Sequence, residues 1–307
     1  MSKPRIGFVG LGVMGLPMAS HLPPAGYPLT AYDVDPKALE RLRTRAPGAT
    51  IVASPRAVAA ASDIVITMLP HGREVESVMF GADGLSAGFS SGALLLDTSS
   101  SEPWYTRKTA TRLAEAGIGM VDAPVSGAQM GAEKAELVFM VGGEPVAVER
   151  VRPVLQVLGK SIFHLGGVGS GHAMKSINNL ITAVTFLATT EGLAIGRSHG
   201  LDPAVMVDVL NVSTGMSWIS RTHIGQRILT RRFDDPFKLD LMVKDIDIAL
   251  RIARDHNLEV PLSAANQALW QRTQREIPGG SSVSELVRAL EKHWGVEISS
   301  VVKGGVR

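Results

Sequence analysis

The chain has 307 residues, 45% of them hydrophobic and 20% charged, with 31 Lys and Arg set against 29 Asp and Glu. That length suggests about two domains with real cores, and the near-neutral balance gives no footing for nucleic-acid binding. The absence of cysteine excludes disulfides, thiolate metal sites and thiol nucleophiles.

The first element is an apolar run, Ile6–Val9, that ends in Gly10-Leu11-Gly12-Val13-Met14-Gly15 and passes into a helical pattern (Leu16, Met18, Ala19, Leu22). Gly10 permits a tight turn out of a strand, Gly12 lets backbone approach a pyrophosphate, and Gly15 lets the helix pack closely on the sheet. The helix N-terminus offers free N–H groups to phosphates. Asp33 closes the next apolar run, Leu29–Tyr32. A carboxylate about 20 residues beyond the glycines suits the hydroxyls of an adenosine ribose. Strand, glycines, helix, second strand and acid in this order point to dinucleotide binding. Asp33 would repel a 2′-phosphate, so NAD is the expected cofactor. Lys37, Arg41 and Arg43 nearby keep NADP possible, and Asp33 as a simple cap on the turn before Pro36 is the plainer alternative.

Further strands are expected at Ile64–Met68, Leu94–Asp97, Met120–Val121, Val138–Val141 and Ile162–Leu165, and helices at Pro36–Arg45, Pro55–Ala60, Glu74–Phe80 and Trp104–Ala116. Alternating strands and helices imply a mainly parallel Rossmann-type sheet covered on both faces. Continuous apolar strands such as Ile64-Val65-Ile66 agree. The basic cluster Arg41, Arg43, Arg45 reads as a solvated helix face, and the eight His show no metal-ligand spacing, so no metal is expected.

After Gly166-Gly167-Val168-Gly169-Ser170-Gly171 the pattern changes. One long helical stretch runs from about His172 to Arg197 and would span roughly 40 Å. Helical patterns follow at Pro203–Leu210, Ser217–Ile228, Leu239–Asp255, Pro261–Glu276 and Ser284–Trp294, with no comparable strand. The fold class is therefore α/β: a Rossmann-like domain (1–166), a long interdomain helix (167–198) and an all-helical domain (199–303). The tail after Lys303 is expected to fray. The apolar stretch from Ile177 to Ile195 carries Asn, Thr and Glu191 and reads as a buried helix, not a membrane span. No charged and apolar leader opens the chain, so a cytoplasmic location is expected.

Ligands of open α/β sheets gather outside the carboxyl ends of the strands. Met68-Leu69-Pro70, Asp97-Thr98-Ser99-Ser100 and Asp122-Ala123-Pro124-Val125-Ser126-Gly127 fall there. Ser126 and Gly127 offer a hydroxyl and uncovered N–H groups that suit a small carboxylate; an ordinary Ser-Gly turn is the alternative. Lys175 and Asn179 share one face of the long helix, beside an apolar face of Met174, Ile177, Leu180 and Ile181. A charged Lys in so apolar a helix calls for a reason. Desolvation favours the neutral amine and makes it a candidate proton donor and acceptor, although snorkelling to solvent would also satisfy it. Lys244-Asp245 starts another amphipathic stretch (Ile246, Ala249, Leu250, Ala253) within the helical pattern Leu239–Asp255, with a solvated turn as the alternative.

Taken together these segments resemble the β-hydroxyacid dehydrogenases, the family of 3-hydroxyisobutyrate dehydrogenase and tartronate semialdehyde reductase. The resemblance covers nearly the whole chain. It rests on Gly10–Gly15 with Pro17-Met18-Ala19, on Asp122–Gly127, on Gly169-Ser170-Gly171 through Lys175 to Asn178-Asn179, and on Lys244-Asp245 with Ala249. It implies that Lys175 is catalytic, that Asn179 orients it and the substrate, and that Ser126 and Gly127 hold the substrate carboxylate. It further implies that Ser99 and Lys244 lie near the nicotinamide end of the cofactor, with Leu69 and Pro70 along it, and that the protein is a homodimer or homotetramer. One departure is local: Ala128-Gln129-Met130 stands where the family often has a second glycine and a small residue. The expected reaction is reversible hydride transfer between NAD and a small 3-hydroxy acid. An aldehyde-acid reductase using NADPH is the alternative, and imine reduction or a non-catalytic cofactor-binding module are remoter ones.

Overall fold

The computed structural model describes residues 3–299, so the expectation for the tail after Lys303 lies outside the described residues. The chain divides into two compact units, Met1–Lys175 and Ser176–Arg307.

Among the described residues the first unit holds nine strands: β1 Ile6–Val9, β2 Leu29–Tyr32, β3 Thr50–Ile51, β4 Ile64–Thr67, β5 Leu94–Asp97, β6 Gly119–Asp122, β7 Val125–Ser126, β8 Leu137–Gly142 and β9 Gly159–Gly166. Their order is β3-β2-β1-β4-β5-β6-β8-β7, with β9 on β8. Strands β3 to β6 along this path pair parallel. The buried runs of β1, β4 and β5 are what a sheet covered on both faces requires. Antiparallel pairing enters at β8, which lies against β6 at Asp122↔Gly142 and against β7 at Val125↔Phe139. Between those pairs stands Pro124, which has no N–H to give the ladder.

Helices α1 Gly15–His21, α2 Pro36–Arg45, α3 Pro55–Ala60, α4 Gly72–Phe80, α5 Pro103–Glu115, α6 Ala128–Glu133 and α7 Pro145–Leu158 connect the strands. Several begin on proline, whose fixed φ and missing donor suit the first helical position. Asp35 and Ser54 complete the caps, accepting from Lys37 N at 2.9 Å and Ala57 N at 3.3 Å. The chain leaves β1 for β2 on one side and returns to β4 on the other. The strand order therefore reverses beside β1, and the crevice for a ligand opens at the carboxyl ends of β1 and β4.

The long helix α8 covers Ser170–Ser198, and α9 Pro203–Asn211, α10 Leu239–Asp255, α11 Pro261–Glu276 and α12 Glu285–Trp294 follow. By length and hydropathy α8 could cross a membrane, yet Ala183, Phe186, Leu187 and Leu193 are buried in the core of the second unit with Trp270, Ile246 and Leu286.

One expected α-helix differs in kind. Residues Ile219–Ile228 form a π-helix. Its backbone ladder is wider than the α pattern, with Leu229 N reaching back five residues to Ile224 O at 2.9 Å, and Thr222 and Thr230 hydroxyls donate to Trp218 O and Gln226 O at 2.6 and 2.8 Å. His223 anchors the segment, with Nδ1 3.2 Å from Asp235 Oδ2 and Nε2 3.2 Å from Ser284 Oγ.

Burial pushes the Asp235 carboxyl up, but His223, the Phe237 N–H and Arg227 together hold it below its ordinary value of 3.8. A depressed carboxyl stabilises the fold above its unfolded pKa and loses that contribution as pH falls through the folded one. Thermal melts between about pH 5 and pH 3 should therefore show a flatter acid limb in Asp235→Asn than in the unsubstituted protein; equal slopes would mean that Asp235 adds nothing to acid stability.

Candidate active site

The glycine loop after β1 has the shape a dinucleotide needs. Gly10 has φ +97°, and a Cβ there would lie 2.4 Å from Met68 O. A Cβ on Gly15 would lie 1.8 Å from Gly10 O, so the start of α1 packs directly on the turn. Gly12 is the opposite case: nothing stands within 4 Å of its Cβ position. The loop thus combines two crowded glycines with one open backbone edge, which fits a pyrophosphate. Leu11 is buried, Met14 half-buried, and Val13 is 60% exposed.

Asp33 closes this loop from β2. Its Oδ2 accepts the Leu11 N–H, and its Oδ1 accepts the Asp35 N–H at 2.7 Å. It is therefore both a turn cap and a brace on the glycine loop.

At the ends of β4 and β5 the organiser is Asp97, 1% exposed. It accepts from Thr67 Oγ1 at 2.9 Å, Ser99 N at 3.1 Å and Ser101 Oγ at 3.1 Å. Ser99 Oγ in turn accepts the Leu69 N–H at 2.9 Å. Leu69 and Ser99 are thus joined, and Pro70 follows on the same turn with its ring exposed.

Ser126 ends β7, half-buried, and Gly127 is exposed with φ +127°. Ala128 follows with φ +52°, a left-handed conformation that a methyl-bearing residue adopts only at a cost of about 1 kcal/mol or more. The family resemblance places a glycine there; the backbone explains why.

Asp122, at the end of β6, is fully buried. Burial raises its carboxyl above the ordinary range, against the pull of His172 and of the Gly169 and His172 N–H groups. Lys175 stands on α8, half-buried, one turn beyond His172.

In the second unit Asn179 is buried, and its Nδ2 donates to Asp245 Oδ2 at 2.6 Å. Lys244 Nζ lies 3.3 Å from Asp245 Oδ1. One buried carboxylate on α10 therefore joins Asn179 and Lys244. Sequence reasoning singled out both of its partners and carried Asp97 and Asp245 within its motifs, but gave Asp245, Asp97 and His172 no role of their own. The signal was a charged or imidazole side chain in an otherwise apolar stretch, which burial obliges to find donors.

Comparison with known proteins gives the family. Residues 5–166 match the family profile described as the NAD binding domain of 6-phosphogluconate dehydrogenase. Residues 169–290 match one described as the NAD-binding of NADP-dependent 3-hydroxyisobutyrate dehydrogenase. The chain is 38% identical to 2-hydroxy-3-oxopropionate reductase of Escherichia coli, over 94% of this chain and 97% of that one. It is 36% identical to 2-(hydroxymethyl)glutarate dehydrogenase of Eubacterium barkeri, over 96% and 97%. Among solved structures, 3-hydroxyisobutyrate dehydrogenase of Mycobacterium tuberculosis with L-serine is similar at a TM-score of 0.85 and 30% identity, covering 94% of this chain and 99% of that one.

The two glycine environments separate loop function from loop packing. Gly12→Ala should leave the melting temperature within about 2 °C and weaken NAD(P)H binding in a fluorescence titration. Gly15→Ala should lower stability by several kcal/mol, beyond the ~1–3 kcal/mol of ordinary overpacking, because backbone itself must move. Equal melting temperatures for the two variants would contradict this division.

Proposed function

This chain belongs to the β-hydroxyacid dehydrogenase family, and from that premise we propose that it interconverts a small 3-hydroxy acid and the corresponding aldehyde acid. As a member it is an NAD(P)-dependent oxidoreductase that acts on a CH–OH group. Its substrate is a small molecule. The relatives' substrates share one pattern in their names: an oxygenated carbon next to the carbon that bears a carboxylate. We take that pattern, a 3-hydroxyisobutyrate-like acid, as the substrate class here. Reduction of 2-hydroxy-3-oxopropionate, also called tartronate semialdehyde, is the second reading, favoured by the 38% identical reductase.

The reading is carried by one observation. The half-buried Lys175 stands on the helix whose first turn is bonded to Ser99 and Asp122, at the strand ends where the glycine loop also lies. The bound dinucleotide would supply the hydride acceptor or donor. Ser126 and the Gly127 backbone would hold the carboxylate, which fixes the position of the neighbouring carbon. In oxidation Lys175 as free amine accepts the hydroxyl proton. In reduction its ammonium form stabilises the developing alkoxide and returns the proton, so proton count balances in both directions. Asn179, itself held by Asp245, would orient the substrate hydroxyl and the amine. Gly10–Gly15 and Leu69, Pro70 and Ser99 would line the cofactor. The negative charge of Asp33 favours NAD over NADP.

A cytoplasmic homodimer or homotetramer is part of the same reading. Ile181 and Ile195 on α8 and Val205 and Val209 on α9, each more than half exposed, are the kind of apolar surface that association covers.

Lys175→Ala should lower kcat by about 10²–10⁴-fold while NAD(P)H still binds; wild-type turnover on a panel of 3-hydroxy acids would remove Lys175 from the reaction. Asp33→Ser should raise kcat/KM with NADP relative to NAD, and an unchanged ratio would mean that Asp33 does not read the ribose.

A further inference from the structure

The reaction as described leaves two buried titratable groups without a task. His172 and Asp122 are both fully buried, and both meet where α8 begins. Asp122 belongs to β6, yet its carboxylate does the work of a helix cap. Oδ1 accepts the Gly169 N–H at 2.7 Å and Oδ2 accepts the His172 N–H at 2.9 Å. These are donors that a helix start leaves without intrahelical partners. The space for the carboxylate is provided by glycine: a Cβ on Gly142 would lie 2.6 Å from Oδ1, and one on Gly171 would lie 2.9 Å from Oδ2.

His172 makes the complementary bonds. Its Nε2 lies 3.1 Å from Ser99 O, an atom that only accepts, so Nε2 carries a hydrogen. Its Nδ1 lies 2.8 Å from Thr106 Oγ1 on α5. The ring is flanked by Asp97 Oδ2 at 3.8 Å and Asp122 Oδ2 at 3.7 Å. A cap from within the helix would secure only the helix. This one ties its first turn to the end of β6, to the turn after β5 and to α5. Three anchors in different directions define both the height of the helix start along its axis and its rotation about that axis.

We propose that Asp122 and His172 are positioning residues that hold the first turn of α8 against the strand ends and so set where the amine of Lys175 stands. This deepens the proposed reaction and rests on Lys175 as the proton-transferring residue. An α-helix turns about 100° per residue, so a small rotation of the first turn displaces a long side chain one turn later by an ångström or more. A displacement of that size costs about 10²-fold in rate.

The test compares His172→Leu, His172→Gln and Asp122→Asn in the full-length enzyme with and without Lys175→Ala. His172→Leu and Asp122→Asn should lower kcat by about 10–100-fold, leave NADH binding by fluorescence within twofold, and shift the pH profile of kcat. His172→Gln, whose amide can still donate to Ser99 O, should recover most of the loss. In the Lys175→Ala background the same substitutions should cost little more, since no amine remains to be positioned. If Lys175→Ala is inactive while His172→Leu keeps wild-type kcat and pH profile, the positioning role is overturned and the Lys175 reading stands. Equal losses with and without Lys175 overturn it too, as a purely structural effect. Full activity of Lys175→Ala would instead defeat the underlying reading. Should His172→Leu fail to fold, Thr106→Val, which removes one anchor outside the helix, takes its place with the same criteria.

Discussion

A carboxylate at the end of a strand has to find donors to the extent that it is buried, and three strands of the sheet present one, fully buried at Asp97 and Asp122 and half-buried at Asp33. Asp33 directly follows β2, Asp97 ends β5 and Asp122 ends β6. Leaving such a group desolvated and unpartnered costs several kcal/mol, so the neighbouring loops fold onto it. The glycine loop gives Leu11 N–H to Asp33. The ends of β4 and β5 give Thr67, Ser99 and Ser101 to Asp97. The start of α8 gives Gly169 and His172 N–H to Asp122. The residues proposed to handle cofactor and substrate are therefore set by carboxyl groups at the strand ends, of which Asp97 and Asp122 are given no contact with either ligand and Asp33 braces the loop as well as facing the ribose. Asp245 does the same in the second unit for Asn179 and Lys244.

Features governed by local stereochemistry were legible from the amino acids alone. The glycine loop could be read because each glycine answers to a steric demand, and the structure places Gly10 at φ +97° and Gly15 hard against Gly10 O. The starts of α2, α3, α9 and α11 coincide with Pro36, Pro55, Pro203 and Pro261. The parallel character of the sheet followed from apolar runs spaced by helices. What escaped was short, masked by a proline or dependent on remote partners. Strands β3 and β7 have two residues each, too few for a period. Helix α7 contains Pro153, which disguises a helical pattern carried by Val148, Val151, Val154 and Leu158. The π-helix has nearly the same apolar spacing as an α-helix, and only the backbone bonds, such as Leu229 N to Ile224 O, reveal the difference.

The candidate site divides along the same line. Lys175, Asn179, Ser126 and Gly127 stood out as residue types misplaced in their surroundings or bare of cover. Their supports did not. No spacing rule links Asp122 to His172 across 50 positions, or Asp245 to Asn179 across 66; only burial of the folded chain brings them together. Sequence thus exposes the groups suited to chemistry more readily than those that hold them still.

Ala128 carries a different kind of information. Its left-handed backbone, φ +52°, is imposed by the turn between β7 and α6 and not by its side chain. Any unbranched residue other than glycine would bear a similar conformational penalty there. Side chains of different length can therefore be exchanged at this position, next to the expected carboxylate cradle, with little effect on folding. On the reading proposed for Ser126 and Gly127, the side chain at this one residue is free to drift beside the carboxylate independently of thermal robustness.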